Sequence, residues 1–387
     1  MATIREQHST GNINTNVDLM VRDVDEKVFH LEPSATPLTR LLTMVKSNIR
    51  TVHNPKFEVL RQEVLPRRLV LGAAYTTGTT LTFVSTDGLT AGSVIKNVTT
   101  NEVMLVTSVV SSTSAVVDRA VGTTAQANST GSDDSFIRLG TAYGEGTASP
   151  DPNNRPLDTD YNYCQIFKKT WSVSNTLKAS RTYGGDQLKM LRGDAGIEFA
   201  LDIEHDFLFG ERGISGASTA NPKRFTRGLI PTLSTNLYNA AGSLSESNFN
   251  TLFLENVFRY GNKQKKIILA SARLCSVFDY WGRSKLQIDD QMSTKLGVKV
   301  MTYLSSHGDL KIIKHHLLEG SVYSGYGVVI DPEYLRMAVL EGRNTKMMSN
   351  IQAPDLDGTK EQYICEAGLD VMQEKVHGLI YGITGAA

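Results

Sequence analysis

The stretch at 184–210, GGDQLKMLRGDAGIEFALDIEHDFLFG, constrains the chain more than any other segment. It holds no proline, and as one helix of about 27 residues it would run roughly 40 Å. At 100° per residue, Asp194, Glu198, Asp202 and His205 share one sector of that helix. Leu188, Ala195, Phe199 and Ile203 fill the sector beside it, and Met190, Ile197, Leu201 and Leu208 form a second apolar sector nearly opposite. A helix with two apolar faces is covered on two sides, as a strut between layers is. Gly193 and Gly196 each cost about 1 kcal/mol against alanine in a helix interior, which points to close backbone packing or a slight bend.

The segments around this helix are short and mixed. Residues 1–35 are polar with weak periodicity and read as an extended arm. Pro37 suits the first turn of a short helix whose Leu38, Leu41, Leu42 and Val45 share a face. From about Thr76 to Leu139 the composition changes: TLTFV, SVIKN, EVMLVTSVV and SAVVDRA are β-branched runs separated by turns such as DGLTAG and TTN. That spacing describes a small all-β module, sandwich or barrel, inserted into something else. Residues 141–156 form a Gly- and Pro-rich loop, and 161–180 alternate as one or two strands.

Beyond the long helix, 211–231 reads as a polar loop. Ser245 is placed to cap a helix with Phe249, Leu252, Phe253, Val257 and Tyr260 on its apolar face and Gly261 at its end. KKIILA is a short buried strand, and Ser271 caps a second helix carrying Leu274, Val277, Phe278 and Trp281. VKVMTYL, LKIIKHH, GVVI, LRMAVL and the closing AGLDVMQEKVHGLIYGI read as strands. The class is α+β with one inserted β module.

Five groups of residues invite a chemical role, and each has a structural alternative. Asp202 and His205, spaced i and i+3, resemble half of a di-iron carboxylate–histidine pair, and Glu374 and His377 repeat the spacing. Such a site needs four long helices, however, and this chain is mostly strands. In a strand, Glu374 and His377 would also point to opposite faces. His315 and His316 fall at a strand end, face apart, and read as exposed. The basic groups Lys223, Arg224 and Arg227, and Lys263, Lys265 and Lys266, read as solvated loops or contacts with a neighbouring subunit. No phosphate loop, dinucleotide fingerprint, nucleophile elbow or zinc-protease motif occurs. No catalytic, cofactor-binding or metal-binding residues are assigned, and a metal-dependent enzyme built on Asp194, Glu198, Asp202 and His205 is the alternative of a different class.

Bulk properties narrow the class further. Forty basic and forty acidic residues cancel over 387 positions. This leaves no footprint of a dedicated nucleic-acid binder and little self-repulsion against homo-assembly. Cys164, Cys275 and Cys365 have no metal spacing, so a reducing compartment fits. The start has no apolar signal core, and no run long enough to span a membrane occurs. The sequons at Asn97 and Asn128 are then chance matches.

The order of segments resembles one family over essentially the whole chain. TPLTRLL, the inserted LTAGSVIKNVTTNEVMLVTSV, GTAYGEGTASP, NYCQIF running into DIEHDFLFG, GVVIDPEYLRMAVLEG and AGLDVMQEKVHGLIYGI appear together in that order. This is similar to the major capsid proteins of tailed bacteriophages with the HK97-like fold. The resemblance implies an N-terminal arm (1–35), an E-loop region with its flanking helix (36–75 and 141–180) and an inserted β domain (76–140). It also implies a peripheral domain (181–240 and 331–387) with spine helix 184–210, and an axial domain (241–330). It further implies self-assembly into hexamers and pentamers of an icosahedral or prolate head in the host cytoplasm, with packaged dsDNA in weak non-specific contact. Portal, decoration and separate scaffolding proteins would be partners, with no membrane and no cofactor. The Lys–Asn crosslink trio of some relatives does not map onto this sequence, so no crosslink is expected. An encapsulin-type nanocompartment shell is the alternative within the fold. On the capsid reading, Asp194, Glu198, Asp202 and His205 meet solvent or basic groups at subunit contacts.

Overall fold

The computed structural model describes residues 36–44, 48–129, 135–150, 157–181, 185–261, 264–282, 286–288 and 300–386. The expected arm at 1–35 lies outside the described residues, as do Val45, Gly184 and Lys263. The fold divides into two units: Leu60–Thr159, and the described residues on either side of it.

In the Leu60–Thr159 unit, six strands hydrogen-bond side by side: Arg68–Val70, Ser135–Thr141, Ser93–Asn97, Val103–Val109, Ser114–Asp118 and Thr80–Thr82. The first and last also meet. Gly72 N–H donates to Thr82 O (2.8 Å), Val84 N–H donates to Val70 O (2.9 Å), and Leu71 bridges Phe83. The sheet therefore closes into an antiparallel barrel with no free edge between those two strands. A Cβ on Gly72 would sit 3.1 Å from the Phe83 carbonyl, so closure favours glycine there. The unit reaches further in both directions than the composition change at 76–140.

Alternation supplies the barrel's filling, as period-2 strands require. Leu69, Leu71, Leu81, Phe83, Ile95, Met104, Val106, Ala115, Val117 and Phe136 point inward as one buried cluster. The buried Glu102 carboxylate is held by Arg119 in a two-pronged pair, with Oε1–Nε 2.7 Å and Oε2–Nη2 2.8 Å. Glu102 also accepts the N–H groups of Ala120 and Ala127 (3.1 Å each). Arg119 in turn donates to the carbonyls of Thr76, Gly78 and Ala127 and lies 4.7 Å from the Tyr75 ring. One ion pair thus ties down three connecting segments that have few apolar residues of their own.

The other unit contains two sheets. The five-stranded sheet runs Ile49–Val52, Leu335–Leu340, Gly358–Val371, Gln165–Ser174, with Lys346–Met348 also on the long third strand. Gln165–Ser174 and Gly358–Val371 pair antiparallel over their whole shared length, Gln165 opposite Ala367 and Ser174 opposite Gly358. The seven-stranded sheet runs Leu237–Leu244, Gly378–Ala386, Gly327–Ile330, Lys265–Ala270, Asp309–Lys314, Val300–Leu304, Leu286–Ile288. Its Lys265–Ala270 strand is covered on both faces. Ile267 and Leu269 enter a core shared with Phe199, Phe207 and Leu208 of the long helix, and Ile268 and Ala270 enter a core with Phe249, Leu274 and Phe278.

The long helix runs Gln187–Phe209, with Asp186 accepting the N–H groups of Leu188 and Lys189. It ends at Gly210, where a Cβ would meet the Asp206 and Thr226 carbonyls at 2.5 and 2.7 Å. Neither internal glycine is needed for packing within the chain. Gly193 has open space around its Cβ position, and Gly196 stands 3.6 Å from the Tyr363 ring, an ordinary contact.

Some local expectations change. Residues 175–179 form a short helix rather than strand, and Lys223–Phe225 pairs with Gly213–Ser215 instead of lying in a loop. Ser245 and Ser271 cap their helices as expected. The first of these helices, however, takes a π turn at Phe249–Leu254, whose wider winding shifts the apolar face by a residue. Leu254 is buried, while Leu252 and Tyr260 stand about half exposed. The closing segment is two strands in different sheets, joined by a 3₁₀ turn at Glu374–Val376.

Burial pushes the Glu102 carboxyl up, but Arg119 and the backbone donors outweigh it, so its pKa lies below the ordinary 4.5. Such a group stabilises the fold fully above 4.5 and loses that contribution as pH falls through its lower folded value. Glu102→Gln should cost the barrel about 3–5 kcal/mol at neutral pH by stranding Arg119. Hydrogen exchange of the 93–118 strands in the full chain measures this, and the difference from wild type should shrink below pH 4.5.

Candidate functional site: assembly surfaces and their buried anchors

The stripe on the long helix faces outward. Glu198, Asp202 and His205 are exposed and Asp194 is half-buried. Glu198 pairs with Lys169 at 2.5 Å, and the His205 ring lies 6.0 Å from Phe209. Among the described residues, no three His, Cys, Asp or Glu side chains come together as metal ligands. The helix's buried face is Ala195, Phe199, Ile203 and Phe207, with Glu204 and Leu208 beside it. Met190, Ile197 and Leu201, from the second apolar sector, are only half-buried in the protomer.

Glu204 was not singled out by its sequence, yet its side chain is wholly buried. Its Oε1 accepts Leu38 N–H at 2.7 Å and lies 2.8 Å from His315 Nε2. Its Oε2 accepts Thr39 N–H at 2.7 Å and the Thr39 hydroxyl. Leu317 N–H donates to His315 Nδ1 (3.2 Å), which places the imidazole proton on Nε2, facing Glu204. His315 is therefore a buried partner, not the exposed strand-end residue that its position after LKIIK suggests. His316 is exposed. The sequence signal for Glu204 was its place among Ile197, Leu201 and Leu208 in an apolar sector, where a carboxylate must find donors.

Lys266 corrects the expectation of a solvated basic loop. It is 1% exposed, and its ammonium donates to the carbonyls of Val257 (2.9 Å), Tyr260 (3.0 Å) and Val376 (2.6 Å), 3.9 Å from Asp331. It thereby closes a helix C-terminus. Glu374 and His377 share no ligand site. Glu374 accepts N–H groups from Ser234 and Thr235 and both their hydroxyls, while His377 Nδ1 accepts Asp331 N–H at 3.2 Å. Arg227 donates to Pro231 O, and Lys223 and Lys265 are exposed.

Two further anchors serve the five-stranded sheet. Glu361 takes both oxygens' worth of Arg192 from the long helix (2.9 Å each) and Trp171 Nε1–H (3.1 Å). Asp370 holds Arg50 and Arg336 at 3.1 Å each. The three cysteines are buried thiols, with burial pushing Cys164 up to about 12 and Cys275 up to about 11.

The buried charges hold segments together, and the long helix beside them presents an exposed polar stripe. The comparisons supply the class. A family model described as SU10 major capsid protein matches residues 7–384, and the chain belongs to that family. It is 24% identical over 298 residues to the major capsid protein of Pseudomonas phage PaMx41, covering 73% of this chain and 70% of that one. Among solved structures it is similar to the capsid of the cyanophage P-SCSP1u, with TM-score 0.47, 9% identity and 95% and 94% of the two chains covered. It is also similar to the SrpI encapsulin of Synechococcus elongatus PCC 7942, with TM-score 0.40, 10% identity and coverage of 60% and 80%. The family match decides for a phage major capsid protein over the encapsulin alternative.

Burial pushes Lys266 down to about 8, with Asp331 opposing, against an ordinary 10.5. Between those values the unfolded chain holds a proton that the folded chain has released, so this group raises stability as pH rises through that window. Lys266→Met should abolish that slope and cost about 2–5 kcal/mol by leaving three carbonyls without a donor. Denaturant titrations at pH 7 and pH 10 check both effects.

Proposed function

We propose that copies of this chain close into pentamers and hexamers that tile an icosahedral or prolate phage head around dsDNA. The observation that carries this is the family match from residue 7 to 384, which takes in the barrel, the long helix and both sheets alike. On this proposal the arm is 1–35, the E-loop region 36–75 and 141–180, and the inserted domain 76–140. The peripheral domain is 181–240 and 331–387 with the helix as its spine, and the axial domain is 241–330. The half-buried Met190, Ile197 and Leu201, with Glu198, Asp202 and His205, would meet neighbouring subunits.

Charge balance supports the DNA partner's role: a neutral chain encloses the genome without holding it by dense phosphate contacts. The inserted barrel, built as a unit with its own core, would reinforce shell contacts or receive a decoration protein. A portal and a separate scaffolding protein complete the partners, and assembly takes place in the bacterial cytoplasm. The chain has no catalytic role in this scheme.

The test is expression of the full chain alone and electron microscopy of the purified product. Uniform closed particles, or rings with five- and six-fold symmetry, are expected. A monodisperse monomer or small oligomer under all conditions, with the scaffolding protein co-expressed as well as without it, would overturn the proposal. Boiled particles should run as a monomer band without a ladder.

A further inference from the structure

We infer that Glu204 is the residue that positions the root of the N-terminal arm, acting as a cap supplied from outside the helix it caps. The first helix is Pro37–Met44. Its opening N–H groups need acceptors, as at every helix start. Pro37 has no N–H, and Arg40 N–H makes the first intrahelical bond, to Thr36 O at 3.1 Å. That leaves Leu38 and Thr39, and both donate to Glu204, at sequence separations of 166 and 165. The N–H groups of Leu38 and Thr39 are both met by one carboxylate on another element.

Docking and helix formation are therefore one event. Eight residues are too few to hold a helix in water. Leu38, Leu41 and Leu42 are buried only against the core that contains Phe199, Ile203 and Phe207 of the same long helix. Glu204 fixes the helix start, and the leucines fix its roll against the core. His315, at the end of Asp309–Lys314, completes the carboxylate and binds the same point to the seven-stranded sheet.

The consequence for the arm rests on the capsid function proposed above. In sequence, residue 35 is followed by Thr36, which stands one residue before the helix that Glu204 caps. With Glu204 in place, each subunit holds its own arm root in one position on its own long helix, so any arm that reaches a neighbour starts from a fixed point. Without it, Pro37–Met44 loses its seat on the long helix and the starting point is lost.

Glu204→Gln isolates this role, because the side chain keeps its size. Whichever way the amide is turned, its NH₂ group faces either Leu38 N–H or Thr39 N–H, so one helix donor loses its acceptor. Hydrogen exchange is read on the unassembled full-length chain, and particle yield is read separately by electron microscopy. In the variant, peptides covering 36–44 should exchange roughly 10- to 100-fold faster, the loss expected for a stranded buried donor. Strands 265–270 and 362–369 should stay as protected as in wild type, and closed particles should fall in yield. Thr39→Ala, which removes only the hydroxyl donor, should give a smaller change confined to the same peptide. Unchanged protection at 36–44, or equal loss across all peptides, overturns the inference. Selective opening with normal particle yield overturns the link to assembly while leaving the cap intact. The exchange experiment does not depend on the capsid proposal, so failure of one is distinguishable from failure of the other.

Discussion

A carboxylate cut off from water must be answered by donors, and Glu204 is answered from two elements at once. Two amides and a hydroxyl come from the first helix and an imidazole from the end of a sheet strand. Because Glu204 sits on the long helix, that helix, the arm root and the seven-stranded sheet are fixed together at a single point. The apolar core around it supplies most of the cohesion, but apolar contacts are non-directional. The hydrogen bonds select one arrangement, since leaving a buried donor or acceptor unsatisfied costs about 1–3 kcal/mol.

The same device recurs wherever a segment has too little apolar surface to place itself. Glu102 and Arg119 gather three connections of the barrel. Glu361 joins the long helix to the strand pair beneath it through Arg192 and Trp171. Lys266 collects the end of one helix and the turn at Val376, and Glu374 holds the bend at Ser234 and Thr235. Each of these groups makes its hydrogen bonds within the chain.

Much of this architecture was legible in the sequence. Period-2 runs gave the barrel strands, Ser245 and Ser271 marked their helix starts, and the sector of Ala195, Phe199 and Ile203 marked the buried face of the long helix, whereas Met190, Ile197 and Leu201 opposite it are half-buried in the protomer. The ordered segments gave the family. The anchors were harder to read, for a physical reason. His315 after LKIIK and Lys266 in KKIILA look like ordinary polar residues flanking strands, and only long-range partners reveal them as buried. Glu204 left a trace as a charge within an apolar sector, while the neighbouring Asp194, Glu198, Asp202 and His205 stripe drew attention and proved to be the outer face. The π turn at Phe249–Leu254 has no compositional marker, so Leu252 and Leu254 exchanged roles unannounced.

The central claim is that one internal anchor sets the arm root identically in every subunit. A reconstruction of the assembled shell, refined without imposing equivalence among the subunits of a hexamer and pentamer, tests it most directly. The account predicts that Leu38, Thr39, Glu204 and His315 superpose in every copy, with each first helix on its own long helix. First helices seated on a neighbour's Glu204, or a Glu204 contact that differs between hexamer and pentamer subunits, would contradict it.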